Sequence, residues 1–173
     1  MKLKNKVAIV TGGGKGIGEE ISLGLAKEGA KVVVADLDKE NSSNVVKEIV
    51  KNNGDAIYVE TDVSNESSVK NLISETINRF DQIDILINNA GIRHVKKLEN
   101  HDLSDWNDMI SVNLTGPYIC CQAVIPEMKK IGKGKIINFG SIASFMGRPD
   151  RVGYVAAKSG ILGLTRALAI DLK

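Results

Sequence analysis

The sequence predicts an α/β protein built on a doubly wound parallel sheet with helices on both faces. Three observations predict it. Short apolar runs alternate with helical patterns from end to end, several runs are apolar throughout, and a glycine-rich turn joins the first run to the first helix. Strands covered on both faces read as continuous apolar runs, whereas strands with one wet face alternate. Residues 1–173 are read as one domain, since 43% hydrophobic and 25% charged content over that length suffices for a single core. No internal repeat, low-complexity tract or linker breaks the pattern.

Five strands are expected at Lys6–Thr11, Lys31–Ala35, Ala56–Glu60, Ile83–Asn88 and Lys135–Phe139. Ile17, Ile21 and Leu25 mark the first helix at helical spacing, and Val45, Val46, Ile49 and Val50 the second, with Gly54 as its C-terminal cap. Val69, Leu72, Ile73, Thr76, Ile77 and Phe80 form the cleanest stripe, entered at Ser64 as N-cap. A fourth helix is expected from Ser104 to Lys130, kinked at Pro117. The last carries Tyr154, Lys158, Ile161, Leu164 and Leu168 and runs to the end.

Charge and cysteine exclude several function classes. A net charge of +2, with cations spread along the chain, gives no field to recruit nucleic acid or anionic lipid. The apolar run Val7–Val10 is too short for a signal peptide, and no segment approaches membrane-spanning length. Cys120 and Cys121 are adjacent, which suits neither a disulfide framework nor zinc, and His94 and His101 lack ligand companions, so no metal site is expected. The expectation is a soluble, cytoplasmic protein.

Thr11–Gly18 reads T-G-G-G-K-G-I-G, directly after the first strand and opening the first helix. Backbone N–H groups and the positive helix end there suit a diphosphate. The spacing, Gly12-x-x-x-Gly16-x-Gly18, differs from G-x-G-x-x-G, and such a turn alone serves equally as a tight connection. Asp36 shifts the balance. It lies eighteen residues after Gly18, near the roughly 20-residue offset at which an acidic side chain accepts hydrogen bonds from an adenosine ribose. A carboxylate there repels a 2′-phosphate, which favours NAD over NADP. Lys15 could pair with that phosphate or simply face solvent, so NADP stays open.

Tyr154 and Lys158, at i and i+4, share one face of the last helix. A fixed ammonium stabilises a phenolate, which makes Tyr154 usable as a general acid or base. Ser141, thirteen residues upstream and just past the fifth strand, falls at the sheet edge where such folds bind ligands. Its hydroxyl could polarise a carbonyl oxygen, or it could be a turn or cap residue. Arg148, Asp150 and Arg151 form a charged loop before Tyr154 that could touch substrate, although a solvated loop accounts for it more simply.

With these residues in this order, the chain resembles the short-chain dehydrogenase/reductase family along all 173 residues, in the manner of 3-oxoacyl-acyl-carrier-protein reductases and glucose or alcohol dehydrogenases. The turn with Gly12, Lys15, Gly16, Ile17 and Gly18 resembles the family's T-G-x-x-x-G-x-G, and Asp62-Val63 its adenine-side pair. Asn88-Asn89-Ala90-Gly91 matches N-N-A-G, which places Asn89, Ala90 and Gly91 along the cofactor. Asn113, in S-V-N-L-T-G, matches the asparagine that completes the set of Ser141, Tyr154 and Lys158. The resemblance implies a Rossmann fold and hydride transfer between NAD(P) and a carbonyl or secondary alcohol. Tyr154 would exchange the proton, Lys158 would also hold the nicotinamide ribose, Ser141 would orient the oxygen, and Asn113 would serve a proton relay. It also implies a homodimer or homotetramer.

The order 3-2-1-4-5-6 needs a sixth strand after the last helix, where this sequence ends. Family members of the common type run to roughly 250 residues. The sixth and later strands, the carboxamide-holding segment and the substrate lid are therefore expected to lie outside these residues, leaving the fifth strand with an open edge. The alternative to an enzyme is a truncated, non-catalytic nucleotide-binding or assembly module. The intact set of Asn113, Ser141, Tyr154 and Lys158 favours the enzyme.

Overall fold

The structure, a computed structural model, describes all residues from Met1 to Lys173. Its five strands are β1 (Val7–Thr11), β2 (Lys31–Asp36), β3 (Ala56–Glu60), β4 (Ile85–Asn88) and β5 (Lys135–Asn138). They form one parallel sheet in the order β3-β2-β1-β4-β5. The chain crosses from β3 to β4 to start the second half, and the reversal of winding between the neighbours β1 and β4 is where open α/β sheets leave a crevice beyond the strand ends.

Period-two alternation of side chains explains why the central strands are apolar throughout. Val7 and Ile9 join a core on one face, with Val33, Leu86, Leu72 and Phe80, while Ala8 and Val10 join the other, with Val32, Val34, Val45 and Ile49. Helices α1 (Gly16–Lys27) and α2 (Lys39–Lys51) cover the second face through Ile21, Leu25, Val45 and Ile49. Helices α3 (Glu66–Phe80) and α5 (Gly116–Lys130) cover the first through Val69, Leu72, Cys120, Cys121 and Val124. At the opposite end from the crevice, the buried Asp84 carboxylate accepts from the Val7 amide at 2.9 Å, Lys6 Nζ at 2.8 Å and Gln82 Nε2 at 2.6 Å. It anchors the starts of β1 and β4.

Four local expectations are corrected. Ile17 does not join the apolar stripe of α1; it is 65% exposed beside the glycine turn. The left-handed residue after α2 is Asn53, at φ 61, rather than Gly54, because asparagine tolerates that region. The N-cap of α3 is Asn65, whose side chain accepts from the Ser68 amide, while Ser64 is drawn to the carboxylate of Asp62. The expected fourth helix is two, α4 (Leu103–Ile110) and α5, joined by a π-turn at Ser111–Thr115. Pro117 sits in the first turn of α5, where its missing N–H costs nothing, so the break lies upstream of it. Helix α6 (Val152–Asp171) completes the chain, and β5 has a partner on one side only, with Ile137 50% exposed. A groove of about 680 Å³ opens there between α5, β5 and the end of α6.

Candidate functional site

Two clusters meet beyond the carboxyl ends of the strands. The first is the turn after β1, where Gly12 and Gly16 take φ of +61° and +57°, the left-handed region open to glycine. A Cβ at Gly18 would collide with the carbonyl oxygen of Gly12, so only glycine lets α1 start this close to the turn. Asn89, one residue past β4, donates through Nδ2 to the carbonyls of Thr11 at 3.1 Å and Gly12 at 2.9 Å. Thr11 Oγ1 in turn accepts from the amides of Asn89 and Ala90, each at 3.1 Å. The two motif segments are thus laced together across the reversal point.

Asp36 ends β2 beside this turn. Its carboxylate accepts from the Gly14 amide at 3.0 Å and the Asp38 amide at 3.0 Å, which fixes it toward the turn. Asp38 caps α2; hydrogen bonds from Asn41 hold its carboxyl below the usual range, with the charge of Lys15 a lesser contribution. Lys15 itself is exposed and makes no cap for α1. Asp62 is half-buried at the end of β3 and binds the amide and hydroxyl of Ser64. Val63 turns its side chain into the core, where a Cβ at Gly116 would stand 2.9 Å from it. Only the backbone of Val63 is left for a ligand, which narrows the role expected of it.

The second cluster forms where β4, β5 and α6 converge on the π-turn. A π-turn frees a helical carbonyl from its usual partner. Here Asn113, fully buried, donates through Nδ2 to the Met109 carbonyl at 3.0 Å and to the Ile92 carbonyl at 3.0 Å, while its Oδ1 accepts from the Ile92 amide at 3.2 Å. Gly91 is the contact point: a Cβ there would lie 2.8 Å from Asn113 Oδ1 and 3.8 Å from Lys158 Nζ. Lys158 is 5% exposed and donates to the Phe139 carbonyl at 2.8 Å, and burial pushes its ammonium below the ordinary lysine range. Its Nζ stands 6.0 Å from the ring centroid of the half-buried Tyr154.

Of the two readings its sequence context allowed for Ser141, the structure shows the cap. It caps a short 3₁₀ turn, Ile142–Ser144, with Oγ accepting from the Ala143 amide at 3.1 Å, three residues past the end of β5. Ser144 donates to the Lys158 carbonyl at 2.7 Å and so ties this turn to α6. Asn113, Gly91 and Lys158 therefore converge, and Ser141 is coupled to them through one intervening residue. The sequence reading missed Phe139, Ser144 and the partners of His94. His94 is half-buried, and its Nδ1 lies 3.2 Å from Asp105 Oδ1. The D-x-x-D spacing of Asp102 and Asp105, a capping box on α4, was the available signal.

The glycine cradle, the fixed Asp36 and the buried Lys158 fit a dinucleotide: backbone donors for a diphosphate, a carboxylate for a ribose, and a cation beside the reacting end. No helix is long and apolar enough to cross a membrane. The family model described as short chain dehydrogenase matches residues 6–173. An uncharacterized oxidoreductase of Thermotoga maritima is 42% identical over 98% of this chain and 66% of its own. A 3-oxoacyl-[acyl-carrier-protein] reductase of Synechocystis sp. is 43% identical over 98% of this chain and 69% of its own. The chain thus spans about two thirds of the length of these curated relatives. The crystal structure of a metagenomic short-chain oxidoreductase in complex with NADP superposes with a TM-score of 0.95 at 33% identity, over 99% of this chain and 78% of that one.

Proposed function

The chain belongs to the short-chain dehydrogenase family, and from that premise we propose that the protein it forms is an NAD(P)-dependent oxidoreductase acting on a carbonyl or secondary alcohol. The observation that carries this reading is the convergence of Asn113, Gly91 and Lys158 beside Tyr154, next to the glycine cradle. A module that only bound nucleotide would have no use for a buried lysine beside a tyrosine.

The chain's own residues divide the work. Gly12, Gly16 and Gly18 shape a turn whose amides would hold the diphosphate, and Asp36 would accept from the adenosine ribose. Asn89, Ala90 and Gly91 would line the cofactor's path toward the second cluster. When bound, the nicotinamide supplies or takes the hydride; position and electrostatics come from the protein. Tyr154 gives a proton to the carbonyl oxygen in reduction and takes it back in oxidation, and Ser141 donates to the same oxygen and fixes its place. Lys158, carrying its charge in a dry setting, stabilises the tyrosinate left behind. Asn113 secures Ile92 and the π-turn, keeping this wall in place.

NAD is the preferred cofactor in this reading, because Asp36 is pinned toward the turn and Lys15 lies in the field of Asp38. Similarity to the Synechocystis enzyme puts 3-oxoacyl thioesters first among substrates to try. The test follows NAD(P)H absorbance with full-length protein and a panel of acyl thioesters, ketones, sugars and alcohols. Tyr154→Phe should lower kcat by at least about a hundredfold while cofactor affinity stays near wild type. Turnover largely retained in that variant would refute the role of Tyr154.

A further inference from the structure

The segment from Ile92 to Lys96 leaves β4 and runs over the second cluster with no regular structure, and Arg93, Val95 and Lys96 are exposed. It is fastened at both ends. At its start, Asn113 grips the amide and carbonyl of Ile92, at 3.2 and 3.0 Å. At its end, the Lys96 amide donates to the Asp150 carbonyl at 3.0 Å, two residues before α6 begins. Asp150 is left-handed, at φ 58, so its carbonyl is aimed by a backbone that a free loop would not keep. The strap therefore bridges the residue that shapes the π-turn and the peptide that opens the helix of Tyr154.

One buried side chain secures the bridge from outside. Asp105, 7% exposed at the start of α4, accepts from Lys96 Nζ through Oδ2 at 2.6 Å and faces His94 Nδ1 with Oδ1 at 3.2 Å. The same Oδ2 accepts from the Asp102 amide at 3.2 Å, so the carboxylate is itself held by the helix cap. The hydrogen bond from Lys96 is the main cause that keeps its carboxyl below the usual range.

We propose that Asp105 is a positioning residue: through its ion pair with Lys96 it latches the Ile92–Lys96 strap and thereby sets the placement of Asn113 at one end and of the start of the Tyr154 helix at the other. The proposal rests on the reading of Tyr154 as the proton-exchanging group. Asp105 lies outside the residues proposed to meet substrate and cofactor. Its effect is on geometry, where a displacement of about 1 Å can cost roughly a hundredfold in rate.

Lys96→Met and Asp105→Asn in the full-length enzyme test it, with Lys96→Arg as the conservative variant. Lys96→Met leaves the α4 cap untouched, so it folds even if Asp105→Asn does not. The latch predicts that Lys96→Met lowers kcat about tenfold or more with cofactor KM unchanged within about twofold, and that Lys96→Arg recovers most of the rate. Amide exchange should speed up in residues 92–97 and 150–156, with β1 and β4 and the Tm unaltered. Wild-type kcat in Lys96→Met, unchanged exchange in those two segments, or faster exchange everywhere in step with a lower Tm would each overturn it. If the wild-type protein turns over no substrate, the functional reading fails. Exchange still decides the latch: opening confined to the two segments supports it, and any other pattern refutes it.

Discussion

At the scale of single residues, Asp36 is the side chain whose chemistry reads most directly onto an observable. Its two carboxylate oxygens are held by the amides of Gly14 and Asp38, so it cannot swing away from an incoming 2′-phosphate. Asp36→Ala removes both the ribose acceptor and the repulsion. The kcat/KM ratio of NAD to NADP should fall at least about tenfold, equivalent to about 1.4 kcal/mol, measured with both cofactors at subsaturating concentration. An unchanged ratio would remove Asp36 from the selectivity argument. Much of this site was legible in the sequence because spacing carries it: the offset of Asp36 from Gly18 and the i, i+4 pair of Tyr154 and Lys158 follow from strand and helix geometry. What was illegible depends on tertiary contact. Nothing in the local pattern of Asp105 says that Lys96 and His94 will fold onto it, nor that the acceptor of Lys158 is a backbone carbonyl of Phe139.

At the scale of elements, the strands were legible to within two residues at each end, and β1 and β2 most sharply, because a central parallel strand must be apolar on both faces and few other segments are. The break between α4 and α5 was not, because its cause is a side chain: Asn113 takes up the Met109 carbonyl that the π-turn releases and ties the turn to Ile92. Proline, the residue that usually signals such a break, stands in the first turn of α5 instead. Helix α1 offers a paired test of what its glycines do. A Cβ at Gly18 would meet the backbone of Gly12, whereas one at Gly24, exposed in mid-helix, has nothing within 4 Å. Gly18→Ala should cost about 1–3 kcal/mol, seen as roughly 2–4 °C of Tm per kcal/mol, and should weaken cofactor binding as the turn is pushed away from α1. Gly24→Ala should instead stabilise by about 0.5–1 kcal/mol with cofactor binding unaltered. Equal Tm changes in the two variants would contradict the close approach.

At the scale of the whole molecule, the two ends of the sheet do different work. The carboxyl ends carry the glycine cradle and the cluster of Asn113, Lys158 and Tyr154, and the amino ends carry an anchor, the buried Asp84 that joins the starts of β1 and β4 with Lys6, Val7 and Gln82. Burial pushes the Asp84 carboxyl up, but its hydrogen bonds from Lys6, Val7 and Gln82 together outweigh that and hold it below the ordinary value of 3.8. A carboxyl depressed by folding contributes stability above its unfolded value, and the contribution drains away as pH falls through the lower folded one. Asp84→Asn keeps the shape and loses the charge, at a cost of about 2 kcal/mol near pH 7, or roughly 4–8 °C of Tm. That deficit should begin to shrink below about pH 4, where the carboxyl of the unfolded chain gains its proton, and should go on shrinking as pH falls toward the lower folded value. Because the crevice lies at the far end of the strands, kcat and cofactor KM at 25 °C should match wild type in Asp84→Asn. Thermal melts from pH 3 to 7 beside initial rates check both halves: a deficit independent of pH would show that the charge of Asp84 does not stabilise the fold, and a fall in kcat would show that the two ends of the sheet are coupled.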